Sequence, residues 1–73
     1  MNVERLISMA NDIGRYFAAE PEREEAIAGI ASHLKRFWEP RMRTAIIAHL
    51  HEGNGEGLDD LARAGVERLA AAG

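Results

Sequence analysis

The side chains best equipped for chemistry lie between His33 and Arg43, in the run His-Leu-Lys-Arg-Phe-Trp-Glu-Pro-Arg-Met-Arg. It holds the only Trp, one of two Phe, one of two Pro and four cations. Trp and Arg are the residues that most often anchor interfaces, and Lys35, Arg36, Arg41 and Arg43 suit a partner's carboxylates or phosphates. Catalysis is far less well provided for. Ser8, Ser32 and Thr44 sit in ordinary helical settings without an evident base and orienting group, and there is no Cys. His49 and His51 stand two residues apart, so on a helix they point to different sides; a chelating pair needs a spacing of three or four. His33 belongs to the preceding helix and has no second ligand beside it. No catalytic, cofactor-binding or metal residue is therefore expected in this chain. Gly53-Asn-Gly-Glu-Gly57 is not a phosphate-binding loop either, because no strand precedes it and no Lys-Ser/Thr follows.

Length and charge narrow the classes further. A chain of 73 residues buries only about 60% of the surface its unfolded form exposes, which leaves little room for an internal active-site cavity. Without Cys it can hold neither disulfides nor thiolate-ligated clusters. No apolar run approaches the roughly 20 residues of a membrane span, and the N-terminus opens directly into an amphipathic pattern rather than a signal peptide; a cytoplasmic protein is expected. The net charge of −3 is segregated. Residues 1–32 carry six acids against three Arg, residues 33–43 four cations against Glu39, and residues 44–73 five acids against two Arg. The basic charge is thus confined to one place in an otherwise acidic chain, a poor pattern for non-specific nucleic-acid binding.

The elements that position these residues are helical throughout. Val3, Leu6, Ala10, Ile13 and Phe17 recur at steps of three and four, predicting a helix over about 2–19; Met9 and Tyr16 sit on the edge of its stripe, as core margin or partner contact. Glu20-Pro21 breaks the pattern, and Glu22, Glu24 and Glu25 then fall in a first turn, where the helix dipole favours acids. A second helix over about 21–37 has Ile27, Ile30, Ala31, Leu34 and Phe37 as its core stripe. Its reverse side gathers Glu25, Ala28, Gly29, Ser32 and Arg36. Small residues there suit the close approach of another polypeptide, with ordinary solvated surface as the alternative. Glu39-Pro40 ends this helix and begins a third over about 40–52, which buries Met42, Ala45, Ile46, His49 and Leu50. Gly53 is a natural C-cap. A fourth helix over about 58–72 collects Leu58, Leu61, Ala62, Gly65, Val66 and Leu69, with Gly65 placed for close packing. The expectation is a single all-α domain over 1–73, a bundle of three to four helices with short loops.

Within the corner the cations divide. Lys35 and Arg36 finish the second helix, where the dipole favours them. Arg41 and Arg43 begin the third, where each is disfavoured by roughly 0.3–1 kcal/mol. They need another interaction, either with acids of this chain such as the Glu20–Glu25 run or with acids or phosphates of a partner. Trp38 serves either as a core plug or as an interface anchor.

Met9-Ala-Asn-Asp-Ile13 followed by Phe17, then His33 and Phe37-Trp-Glu-Pro-Arg-Met-Arg43, then Gly55-Glu-Gly-Leu-Asp59, resemble the delta subunit of soluble, NAD-dependent, molybdenum-containing formate dehydrogenases of bacteria. That family more often has Asp where this chain has Glu39; Asp is the better N-cap, so a weaker cap is expected here. The resemblance implies a non-catalytic small accessory subunit that stabilises or helps assemble the holoenzyme. Its partners would be the catalytic and diaphorase subunits, which hold the molybdenum cofactor, iron–sulfur clusters, FMN and NAD. On this reading Trp38, Arg41 and Arg43 dock onto the catalytic subunit, and Gly29, Ser32 and Arg36 supply a second contact face. Two alternatives come from other classes. One is a helix–turn–helix nucleic-acid module with the third helix as reader, disfavoured by the apolar remainder of that helix and its acidic flanks. The other is a self-associating helical protein with Gly29 at its seam.

Overall fold

The computed structural model describes residues 2–72, which form four α-helices joined by short loops and contain no strand. Helix α1 is Val3–Phe17, α2 Arg23–Phe37, α3 Pro40–Glu52 and α4 Asp60–Ala72. Asn2 caps α1 by accepting a 2.9 Å hydrogen bond from the Glu4 amide. The chain leaves α1 at Phe17, earlier than the apolar pattern suggests, and α2 starts only at Arg23, because Glu22 is still extended at φ −91° and ψ 120°. Pro40, by contrast, stands in the first turn of α3, where its missing N–H has no consequence. Leu58 also precedes its helix: its amide closes a turn onto the Gly55 carbonyl at 3.0 Å, while its side chain is buried. Among the described residues no helix is long and apolar enough to cross a membrane.

The core is drawn from all four helices, with Leu6 and Ala10 of α1, Ile30, Ala31 and Leu34 of α2, Ile46 of α3, and Ala62, Val66 and Leu69 of α4. The largest interface is between α2 and α4. It closes over Gly65: a Cβ there would lie 2.7 Å from the Ile30 Cβ, so only glycine admits the branched side chain. Gly14, which the sequence pattern does not single out, lets α1 approach α4 at Ala62 in the same way, with a Cβ only 3.3 Å from the Ala62 backbone nitrogen.

In α2 one residue of the expected core stripe lies outside it, and of the residues expected to be buried in α3 only Ile46 is, Met42, Ala45, His49 and Leu50 being half-buried. Phe37 is 68% exposed, and Trp38 takes the buried position at 5%. The row that faces the core steps by four through Ile30, Leu34 and Trp38. Phe37 belongs to the adjacent row through Gly29 and His33, about 100° around the helix.

Candidate functional site

The corner is held together by Arg43. From the first turn of α3 its guanidinium reaches back to the end of α2 and donates to the carbonyls of Lys35, at 3.1 Å, and Trp38. The last four carbonyls of a helix have no intrahelical partner, and a cation is favoured there by the dipole. Arg43 is therefore unfavourable by its backbone position and favourable by where its head group lies. Its partner is neither an acid of the Glu20–Glu25 run nor a phosphate, but main-chain oxygen of the preceding helix. Trp38, buried within the core cluster, is the core plug of its two readings, while Arg43 is half-buried. Glu39 makes no side-chain cap to α3, and the helix start is closed by its carbonyl alone, which accepts from Met42 at 2.9 Å and Arg43 at 3.1 Å. Arg41 is exposed and makes no hydrogen bond or ion pair among the described residues.

A second clasp fixes the glycine loop. Asn11 of α1 donates from Nδ2 to the Gly57 carbonyl at 2.9 Å and accepts from the Asp59 amide at 2.8 Å, so one side chain ties the loop and the start of α4 to α1. His49 Nε2 lies 2.8 Å from the Glu56 carbonyl; because a carbonyl only accepts, that nitrogen carries the proton. Arg63 donates to the Gly55 carbonyl at 3.3 Å. Asn54, Gly55 and Gly57 have φ of 58°, 64° and 92°, the left-handed region that glycine and asparagine enter most readily. Two of the stretches that carry the resemblance, residues 9–13 and 55–59, therefore meet here. The roles of Asn11 and Arg63 escape a sequence reading because each contacts backbone atoms, which leave no complementary side chain to notice.

The exposed feature of the molecule is an aromatic groove. Tyr16 and Phe17, at the end of α1, meet Gly29, Ser32, His33, Arg36 and Phe37 on one face of α2 around an open volume of about 540 Å³. The rings form a row: Tyr16 to Phe17 at 5.1 Å edge-on, Phe17 to His33 at 6.4 Å, His33 to Phe37 at 4.8 Å. Tyr16 and Phe37 are the large exposed hydrophobic residues, at 77% and 68%. Arg36 holds its guanidinium 5.9 Å above the Phe37 ring and has no ion pair among the described residues. Gly29 does admit a close neighbour, but the neighbour is internal: a Cβ would stand 2.5 Å from the Phe17 ring. Three of the residues expected at a contact face, Gly29, Ser32 and Arg36, are brought together in this groove; Trp38, Arg41 and Arg43 do not line it. Tyr16, Phe17, His33 and Phe37 complete it, and the spacing of Gly29, His33 and Phe37 by four is the signal that points to their row.

Nothing in this geometry resembles a reaction centre. No charged or polar side chain is buried among the described residues, and no three His, Cys, Asp or Glu among them converge as metal ligands. Comparison with curated proteins and with solved structures returned no match. A family model described as NADH-dependant formate dehydrogenase delta subunit FdsD matches residues 5–66, and the chain belongs to that family.

Proposed function

We propose that this chain is a non-catalytic accessory subunit that binds, and stabilises or helps assemble, a cytoplasmic NAD-dependent molybdenum formate dehydrogenase. The observation that carries the reading is the family match over residues 5–66. The architecture supports it: a small bundle whose polar side chains hold loops and helix ends, with an exposed aromatic groove rather than a lined cleft. The molybdenum cofactor, iron–sulfur clusters, FMN and NAD of such an enzyme belong to its larger subunits. This chain has no Cys to ligate an iron–sulfur cluster and no convergent metal-ligand group among the described residues.

The test is to produce the larger subunits with and without this chain, and to measure formate-dependent NAD reduction, molybdenum content and subunit recovery. Loss of activity together with molybdenum or subunits is the expected result. Equal activity, metal content and recovery in its absence, with no co-purification when it is present, would end the proposal.

A further inference from the structure

The aromatic groove is open, apolar and cationic at one edge, and those properties restrict what can fill it. Its lining contains Tyr16, Phe17, His33 and Phe37 as rings, Gly29 and Ser32 as floor, and Arg36 as its full charge; no carboxylate is among the lining residues. The α2 face from Gly29 to Phe37 runs for about 12 Å at 1.5 Å per residue, or two helical turns. Arg36 has the Phe37 ring on one side and makes no ion pair among the described residues, in a chain of net charge −3.

Resting on the function proposed above, we infer that this groove is the docking site for an apolar segment of a larger subunit, about two helical turns long. That segment carries an aliphatic or aromatic anchor and an Asp or Glu close to it. The anchor lies across the row of Tyr16, Phe17, His33 and Phe37, and the carboxylate meets Arg36. Charge complementarity selects the occupant: an apolar anchor alone leaves Arg36 unpaired beneath the partner, where an uncompensated charge is costly. The same criterion disfavours a phosphate-bearing ligand, which would find a single Arg beside rings rather than a set of converging donors.

The test uses the assembled complex, captured through a tag on this chain. Tyr16→Ala with Phe37→Ala removes exposed rings and leaves the buried cluster intact; Arg36→Glu reverses the one full charge of the groove; Arg5→Ala, on an exposed cation without a side-chain partner among the described residues, is the control. Helix content of each purified variant is read by circular dichroism. The expected result is at least a tenfold loss of large-subunit recovery for the double variant and for Arg36→Glu, near wild-type recovery for Arg36→Lys and Arg5→Ala, and unchanged helix content throughout. Wild-type recovery by the folded double variant overturns the inference while leaving the accessory role standing. Failure of the unmodified chain to retain any large subunit removes the role itself, and the inference with it. If light scattering shows that the isolated chain is a dimer broken by the double substitution, the groove is filled by a second copy and the inference is also overturned.

Discussion

Arg43 shows how a residue set against its own helix can be favourable in the fold. Its guanidinium serves two carbonyls at the end of α2, and hydrogen bonds to charged groups contribute about 1.5–3 kcal/mol when well made; partial exposure brings this toward the lower figure. Arg43→Ala is expected to cost about 1–2 kcal/mol in urea unfolding, and Arg43→Lys less than that, since both bonds leave from the one Nη1 and an ammonium also carries several donors on a single nitrogen. An unchanged midpoint for Arg43→Ala would show that the clasp adds nothing. The glycines make a paired test. Gly65→Ala drives a Cβ into the branched Ile30 side chain, an overpacking expected to cost about 1–3 kcal/mol. Gly29→Ala meets the half-exposed Phe17 ring, which can swing outward. It is expected to leave stability within about 1 kcal/mol of wild type, because the helix-propensity gain offsets the displacement, while obstructing the groove and lowering partner recovery.

Among the elements, α2 and α3 begin on N-caps that make no side-chain hydrogen bond, whereas α1 begins on Asn2, which does. Glu39→Asp shortens the side chain to a length that can accept from the next amides. It is expected to raise the unfolding free energy by about 0.5–1 kcal/mol; thermal denaturation of the isolated chain checks this, and a lower midpoint would mean that the longer Glu has a role in the corner. The helices themselves were legible from apolar periodicity, and the α2–α3 corner from Glu39-Pro40, because those signals are local. What was not legible, including the exposure of Phe37 that the stripe placed in the core, depends on angles that periodicity does not encode. Whether Phe37 or Trp38 continues the Leu34 row is decided by where the last turn of α2 ends relative to the core, and one residue is a rotation of about 100°. That Arg43 reaches the α2 carbonyls depends on how two helices cross at Pro40. That Gly29 receives Phe17 depends on where α1 stops.

For the whole molecule, charge is arranged to leave the fold largely indifferent to salt. The ion pairs among the described residues, Arg15 with Asp12 and Asp59, Arg23 with Asp60, and Arg68 with Glu24, have side chains between 42% and 83% exposed, and such pairs contribute about 0–1 kcal/mol each. Raising NaCl toward molar concentration is expected to lower the unfolding free energy of the isolated chain, read in urea, by less than about 2 kcal/mol. A fall well beyond that would assign the ion pairs a larger part in stability than their exposure allows. Association with a larger subunit should be more salt-sensitive than folding, because Arg36 gains its anion only on binding.

Trp38 gives the protein a built-in optical reporter. As the only Trp it supplies the long-wavelength emission alone, and at 5% exposure that emission should be blue-shifted in the native state and move red on unfolding. Its neighbour Phe37 points into the groove, whereas the indole faces the core, so a ligand occupying the groove should leave the emission wavelength in place. The intrinsic fluorescence of each isolated variant can then distinguish one that has lost its partner from one that has lost its fold.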